Sequence, residues 1–252
     1  MIPLRRERSV LATPGSNPRM IAKALASDAD LVMLDLEDAV APEQKPAARQ
    51  DVAQAVCDGD WRGRPRLVRV NALGTPWFHR DLIDVVESAG DRLDLLMLPK
   101  VERPADIVAV AALLDGIEAA LGVERPIGLE AQIETAAGLL AVPEIAAAGP
   151  RLEALVFGPG DFAASVRMPL TAIGAPDEWD ARYPGHRFGY AMHQIVVAAR
   201  AAGRRAIDGP FADVRDPDGL RQSAQIARAL GFDGKWCIHP SQIDSVNEVF
   251  SP

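Results

Sequence analysis

Two acidic residues that follow apolar runs are the first candidates for chemistry in this sequence. Glu134 comes directly after IGLEAQI, and Asp161 lies three residues beyond ALVFG. Carboxylates with no cysteine and few histidines beside them suit a hard cation. Mg²⁺ commonly takes one or two carboxylates and fills its other positions with water or substrate oxygens. If the two runs are adjacent strands, both acids can meet at one ion, and we predict that Glu134 and Asp161 are metal ligands.

Each of these acids also has a purely structural interpretation. Glu134 would be an exposed acid in the first turn of a helix, where the helix dipole favours negative charge. Asp161 would be the N-cap of the following helix. Either explanation would be preferred for one acid alone. Two acids at neighbouring strand ends, with Arg69 two strands away, favour a binding site.

The segment LDLEDAV places three further acids close together, namely Asp35, Glu37 and Asp38. Like charges at such short spacing are unfavourable unless a cation lies nearby. Asp35 is interpreted as the partner of a lysine in the barrel. Glu37 and Asp38 are better placed to hold metal-bound waters, as groups around a metal often do.

Arg69 lies within the apolar run RLVRV, and charged side chains are rarely buried without a partner. One interpretation is a structural salt bridge to Glu37 or Asp38. The other is a planar fork that binds a substrate carboxylate through two hydrogen bonds. The two roles are compatible, so both stay open.

Four more polar or reactive residues lie at strand ends. Lys100 follows the run LLMLP. Asp208 would either cap a turn or face the site. His239 is interpreted as a hydrogen-bonded structural group more readily than as a base, and Cys237 as a small buried apolar side chain.

The elements that must position these residues are short apolar runs separated by amphipathic segments. Runs without strict alternation are typical of strands covered on both faces. Eight strands alternating with helices predict a (β/α)₈ barrel over residues 1–252, as a single α/β domain. An open doubly wound sheet is the alternative, but no GxGxxG follows the first strand. The predicted strands are 9–13, 31–36, 66–70, 95–99, 127–133, 154–158, 204–208 and 235–239, and the predicted helices are 18–27, 45–56, 77–89, 104–121, 135–148, 188–203 and 219–231.

Composition excludes several classes of protein. The chain has 252 residues, 48% of them hydrophobic, and a net charge of −8, which argues against broad nucleic-acid binding. Its two cysteines are not in CxxC spacing, so zinc binding is not expected. We find no signal peptide and no apolar run of membrane-spanning length, and we predict a cytoplasmic protein.

One connection is longer than an ordinary βα loop. It runs over residues 168–187 and is rich in proline, glycine and aromatic residues. Long loops at the carboxyl ends of barrel strands usually shape a site. We therefore hypothesise that this loop closes over substrate, shielding it with Trp179, Tyr183 and Pro184. The alternative is a static loop that packs a subunit interface.

Nine segments together resemble the HpcH/HpaI aldolase–citrate lyase superfamily, within its branch of citrate lyase β-subunits and acyl-CoA lyases. They are RSVLATPGSNPRM, DLVMLDLEDAVAPEQKPAAR, LVRVNALGT, LMLPKVE, AQIETAAGLL, VFGPGDFAAS, AIDGP, GFDGKWCIHPSQI and VNEVFSP. The resemblance implies a (β/α)₈ barrel that binds Mg²⁺, for which Mn²⁺ can substitute, and a homotrimer or hexamer. It also implies carbon–carbon cleavage of a 3-hydroxyacyl-CoA such as malyl-CoA, methylmalyl-CoA or citramalyl-CoA, or the reverse condensation with a small oxoacid.

The resemblance also implies roles for individual residues. Glu134 and Asp161 would hold the metal, and Glu134 would also contact the substrate. Arg69 would bind the oxoacid carboxylate and take part in catalysis, together with Glu37 and Asp38 near the metal waters. Gly158 and Gly160 would let the backbone bend close to the ion.

Two departures from the family pattern affect these expectations. Many relatives have an acid where this chain has Gly160. Many acyl-CoA lyases continue beyond the IHPSQ segment into a lid, whose acid completes a neighbouring subunit's site, whereas this sequence ends at Pro252. We therefore expect either a lidless enzyme or part of a longer protein. The alternatives are a citrate lyase β-subunit acting on a citryl thioester, an acyl-CoA thioesterase, and a protein that binds a CoA ester or oxoacid without turnover.

Overall fold

A computed structural model describes residues 5–183 and 185–252. Its eight parallel strands pair in sequence order and close into a barrel, with β1 hydrogen-bonded to both β2 and β8. The predicted (β/α)₈ barrel is therefore confirmed, and the open doubly wound sheet is wrong. The strands are β1 Ser9–Pro14, β2 Leu31–Asp35, β3 Arg66–Arg69, β4 Leu95–Leu98, β5 Gly128–Ile133, β6 Leu152–Phe157, β7 Arg205–Asp208 and β8 Gly234–Cys237.

Helices fill the connections between the strands. The predicted helix over 135–148 is instead two short helices, with Pro143 in the first turn of the second. A helix over Pro159–Ser165 was not among the predicted segments. The helices of the described residues are α1 Pro18–Leu25, α2 Lys45–Asp58, α3 Phe78–Ala89, α4 Pro104–Leu121, α5 Ala136–Leu140, α6 Val142–Ala146, α7 Pro159–Ser165, α8 Gly189–Ala201, α9 Pro217–Leu230 and α10 Ile243–Val249. None of the helices in residues 5–183 and 185–252 has the length and apolar character needed to cross a membrane.

Alternation along the strands divides the core into two layers. Leu31 and Met33 of β2 belong to a small cluster inside the barrel, whereas Val32 and Leu34 belong to the large cluster between barrel and helices. Because side chains alternate between the two faces of a strand, the next inward position on β2 is Asp35. The same alternation places polar side chains inside the barrel at the carboxyl ends of the strands, beyond the apolar cluster.

Candidate active site

A cavity of about 720 Å³ opens at the carboxyl ends of the strands. Its polar lining includes Arg69, Gln132, Glu134 and Asp161. Apolar side chains line the rest of its wall, among them Trp236. In (β/α)₈ barrels the catalytic groups come from this end of the strands, so this cavity is the candidate active site.

Glu134 and Asp161 reach this cavity from adjacent strand ends. Glu134 follows β5 and is buried, and Asp161 lies in the first turn of α7 after β6. Their carboxylates lie 4.0 and 3.2 Å from the same ammonium group, that of Lys100. The two acids thus lie around one point of the cavity, and their role as ligands of one metal ion stays a prediction.

The structural interpretations of these two acids are both wrong. Glu134 precedes the N-cap of α5, which is Thr135, and is only 1% exposed. Helix α7 begins at Pro159, so its N-cap is Gly158 and Asp161 lies inside the first turn. Neither carboxylate is therefore explained by helix capping.

Arg69 is buried and holds Asp35 through a two-pronged ion pair. Its Nε lies 2.7 Å from Asp35 Oδ1, and its Nη2 lies 2.6 Å from Asp35 Oδ2. The expected pairing of Asp35 with a lysine is therefore wrong, since the inward arginine on the neighbouring strand is closer. The third nitrogen, Nη1, is 3.0 Å from Glu37 Oε2 and 3.9 Å from Asp38, so the salt bridge to these acids is present.

The acids after β2 have different environments. Asp35 is buried, and the charge and hydrogen bonds of Arg69 hold its pKa below the usual value although burial alone would raise it. Burial raises the pKa of Glu37, despite the opposing charge of Arg69. Asp38 is 62% exposed at its side chain and lines the cavity. The cations that the clustered acids required are Arg69 and Lys100.

The donor set at Glu134 and Asp161 suits a hard divalent ion. Both groups are oxygen donors, and an ammonium already lies within 4.0 Å of each. Among the residues that the structure describes, no three carboxylate, imidazole or thiol side chains converge as a complete metal cage. Mg²⁺ keeps several waters and is commonly held by one or two carboxylates, so this pair is sufficient.

A family model described as HpcH/HpaI aldolase/citrate lyase matches residues 8–240. The matched segment contains all eight strands and every residue of the cavity wall. This chain belongs to the HpcH/HpaI aldolase/citrate lyase family. The sequence-based assignment to this family is confirmed, and the chain is an enzyme of the carbon–carbon lyase class.

Individual relatives support the assignment. The chain is 45% identical to an L-malyl-CoA/beta-methylmalyl-CoA lyase of Cereibacter sphaeroides, over 99% of this chain and 80% of that protein. It is 39% identical to a (3S)-malyl-CoA thioesterase of the same species, over 97% of this chain and 77% of that protein. A solved structure of CitE from Mycobacterium tuberculosis, in complex with magnesium, acetoacetate and coenzyme A, is 33% identical with a TM-score of 0.79, covering 98% of this chain and 82% of that one.

Two functional candidates of this family member were missed by sequence reasoning. Lys100 was noted only as the end of β4, although LPKVE was among the family-like segments. Its φ of 52° is in the left-handed region, and its backbone N–H donates to Glu134 Oε1 at 2.8 Å. Gln132 donates a hydrogen bond from its Nε2 to Glu134 Oε2 at 2.6 Å. Gln132 also accepts one, at its Oε1, from Arg69 Nη1 at 3.3 Å. The signal in the sequence that could have identified Lys100 and Gln132 was their position at the carboxyl ends of predicted strands.

Three other candidates lie outside the cluster of acids. Asp208 is ion-paired with Lys235, and both are buried. His239 caps a 3₁₀ turn by accepting a hydrogen bond from the Ser241 N–H at 3.2 Å, in agreement with the structural interpretation. Cys237 is buried, as expected, and burial raises the pKa of its thiol to about 12.

The long loop contributes to the cavity through apolar side chains. Met168, Leu170 and Ile173 line its wall. Trp179 and Tyr183, which we expected to shield the site, are instead exposed and are absent from that wall. Pro184, named with them, lies outside the described residues. Closure over substrate stays a prediction.

Gly158 provides space for Glu134. Its φ of −107° is accessible to other residues, so the requirement is steric. A Cβ at this position would lie 2.5 Å from Glu134 Cβ and 2.9 Å from Gln132 Nε2, so these groups would have to shift. The expected reason for this glycine was a backbone bend close to the ion, whereas the structure shows a steric one, namely the short distance to Glu134 and Gln132.

We predict that Gly158→Ala lowers the affinity for Mg²⁺ by about tenfold or more, because the added methyl group displaces a proposed ligand. Calorimetric titration with Mg²⁺ measures this change. Gly160→Ala is the matched control, since its Cβ would meet only the end of the Ile173 side chain, at 3.0 Å. Equal losses in the two variants would contradict the steric role of Gly158.

A second prediction concerns pH. Burial raises the pKa of Glu134 to about 8, and the nearby Glu37 charge adds to the rise. The folded protein therefore binds this proton more tightly than the unfolded chain does. The resulting stabilisation is fully present below the unfolded pKa of 4.5 and is lost as pH rises through about 8.

We expect the stability of metal-free protein to fall between about pH 4.5 and about pH 8, with a smaller fall in Glu134→Gln. Urea unfolding in the presence of a chelator, compared between the two proteins, measures the difference. The difference in pH dependence between wild type and Glu134→Gln isolates the contribution of Glu134, because the other buried acids contribute equally in both proteins. Identical pH dependence in both proteins would show that Glu134 does not titrate in this range.

Proposed function

We propose that this chain is a Mg²⁺-dependent lyase that cleaves malyl-CoA or a closely related 3-hydroxyacyl-CoA into a small oxoacid and an acyl-CoA, or condenses the two. The observation that carries the proposal is the meeting of Glu134, Asp161 and Arg69 in one cavity. The chain that builds this cavity is 45% identical to a malyl-CoA/methylmalyl-CoA lyase over almost its whole length.

Glu134 and Asp161 would hold the ion, and Mn²⁺ is proposed to substitute for Mg²⁺ because both favour oxygen ligands. When bound, the ion supplies Lewis-acid polarisation of the hydroxyl or keto oxygen and of the carboxylate of the oxoacid part. Gln132 and the backbone of Lys100 fix the orientation of Glu134 through hydrogen bonds to its two oxygens. This support keeps the ligand in place before substrate arrives.

Arg69 would bind the carboxylate of the oxoacid part. Asp35 occupies the Nε and Nη2 side of the guanidinium and fixes its orientation. An anionic ligand would reach Nη1, where it would compete with Glu37 at 3.0 Å and with the Gln132 side-chain oxygen at 3.3 Å. We propose that Glu37 and Asp38 assist as groups that accept hydrogen bonds from water near the site.

In the cleavage direction, a general base takes the hydroxyl proton of the substrate as the bond between the hydroxyl-bearing and thioester-side carbons breaks. The bonding electrons pass to the acyl-CoA fragment as an enolate, which then takes a proton on carbon. Positive charge and hydrogen-bond donors at the cavity lower the energy of this anionic state. Trp236 and apolar side chains of the long loop line the cavity, and exclusion of water by them would strengthen these interactions.

The test is incubation of the purified chain with malyl-CoA and Mg²⁺, followed by quantification of every CoA product. We expect acetyl-CoA and glyoxylate in equal amounts, with activity removed by chelator and restored by Mg²⁺ or Mn²⁺. Failure to form acetyl-CoA from malyl-CoA or citramalyl-CoA and propionyl-CoA from methylmalyl-CoA, with folded and metal-loaded protein, would refute the lyase proposal.

Thioester hydrolysis is a second candidate, because the chain is 39% identical to a (3S)-malyl-CoA thioesterase. The same assay separates the two activities, since hydrolysis releases free CoA and malate. A citryl thioester on an acyl carrier protein is the further substrate to compare, for a citrate lyase β-subunit role. Binding of CoA ester without any product would identify a binding protein.

We also propose that the chain assembles as a homotrimer or hexamer. Val108, Leu113 and Leu121 on α4 are exposed apolar side chains, and such residues are common where subunits meet. Light scattering on purified protein measures the mass. A monomer at micromolar concentration would contradict this assembly.

A further inference from the structure

Lys100 carries the one ammonium or guanidinium group that lies within 4.0 Å of Glu134 or Asp161 in the described part of the chain. Its Nζ is 2.5 Å from Glu37, 3.2 Å from Asp161, 3.9 Å from Asp38 and 4.0 Å from Glu134. A single positive charge thus faces four carboxylates. Two of them are the proposed metal ligands.

The backbone of Lys100 is anchored independently of its side chain. With φ at 52°, its N–H points at Glu134 and donates a hydrogen bond of 2.8 Å. The side chain itself is 35% exposed, so the ammonium has room to move on its flexible stem. Movement of the ammonium therefore leaves the backbone contact to the proposed ligand intact.

A divalent ion between Glu134 and Asp161 would lie against this ammonium. Like charges at a few ångströms repel strongly in a partly buried site. Glu37 and Asp38 also lie within 4.0 Å of the ammonium, so they can hold it when it leaves Asp161 and Glu134. Glu37 accepts from Lys100 at the shortest distance of the four acids and is itself buried.

We propose that the Lys100 ammonium substitutes for the divalent ion in the metal-free enzyme, and that it moves away from Asp161 and Glu134 when the ion binds, while Glu37 and Asp38 keep it. This inference rests on the proposed metal site at Glu134 and Asp161 and adds a cation exchange to it. The lysine keeps the acids from repelling one another while the site lacks metal. Its displacement opposes metal binding, so it weakens the affinity for Mg²⁺.

The first experiment compares Mg²⁺ affinity by calorimetry in wild type, Lys100→Met and Lys100→Arg. We expect Lys100→Met to bind Mg²⁺ about fivefold more tightly or better, because no charge has to be displaced. Lys100→Arg keeps the charge and should stay within about threefold of wild type. Lys23→Met removes the same charge from the exposed side of α1 and should leave the affinity unchanged.

The second experiment observes the lysine directly in wild-type protein, so it does not depend on how the variants fold. The chain has four lysines, at positions 23, 45, 100 and 235, and Lys45 and Lys235 are buried. In NMR spectra of protein labelled at lysine Cε, we expect Mg²⁺ to shift the Lys100 signal markedly. The signals of Lys23 and Lys235 serve as references and should stay in place.

The outcomes distinguish this inference from the proposed function. Folded wild type that binds no Mg²⁺ would refute the metal site itself. Wild type that binds Mg²⁺, with Lys100→Met binding equally or more weakly, would leave the metal site standing and overturn the exchange. A Lys100 signal that does not respond to bound Mg²⁺ would overturn it as well.

Discussion

Replacing Arg69 with lysine is expected to lower kcat/KM for condensation of glyoxylate with acetyl-CoA by about 30- to 1,000-fold. The guanidinium uses Nε and Nη2 to hold Asp35, at 2.7 and 2.6 Å, while Nη1 reaches toward the acids at the cavity. A lysine has one compact ammonium and cannot make both sets of contacts. Either the buried Asp35 loses its partner, or the proposed site for the oxoacid carboxylate is lost.

Steady-state kinetics with both substrates varied measures this effect. The loss should appear in the KM for glyoxylate as well as in kcat, because the proposed contact is to the oxoacid. Arg103→Lys is the matched control, since that side chain is 74% exposed and pairs only with Asp106 among the described acids. Wild-type activity in Arg69→Lys would show that Arg69 does not bind the oxoacid.

Replacing Asp161 with alanine is expected to weaken Mg²⁺ binding by about 100-fold or more, which would remove the calorimetric signal at ordinary protein concentrations. Of the carboxylates around the Lys100 ammonium in the described residues, Glu134 is the only other one that we propose as a metal ligand. The Asp161 side chain is 41% exposed, so its removal should leave the fold and its unfolding temperature almost unchanged. The lyase activity should fall with the metal affinity.

Asp38→Ala is the control for the change in charge. Asp38 lines the same cavity and is 62% exposed, but it is not a proposed ligand. We expect it to weaken Mg²⁺ binding by less than about tenfold, through the loss of one nearby negative charge. Unchanged Mg²⁺ affinity in Asp161→Ala, or equal losses in both variants, would remove Asp161 from the metal site.

Sequence alone was sufficient to predict the barrel and to place Glu134 and Asp161 at the ends of neighbouring strands. The apolar runs mark strands because both faces of a parallel barrel strand are covered, and this pattern needs no knowledge of partners. Most predicted strands differ from the observed ones by one or two residues at their ends. The regular order of strand and helix placed Glu134 and Asp161 at neighbouring strand ends, where the closed barrel brings both into one cavity.

Local sequence patterns gave wrong predictions for two helices, at residues 135–148 and after β6. The helix over 135–148 is interrupted near Pro143, and the helix Pro159–Ser165 lies within a turn rich in glycine and proline. The second case also decided the interpretation of Asp161, because a helix that begins after Gly158 leaves no capping role for it.

The pairing of charges was decided by the tertiary structure. Asp35 and Arg69 are 34 residues apart, yet strand register places them directly opposite each other on β2 and β3. Lys100 reaches four acids from three other connections, at Glu37, Asp38, Glu134 and Asp161. Residue types and alternation show that charges point into the barrel. Which charges meet depends on register and on side-chain reach across the closed barrel, and neither is written in the local sequence pattern.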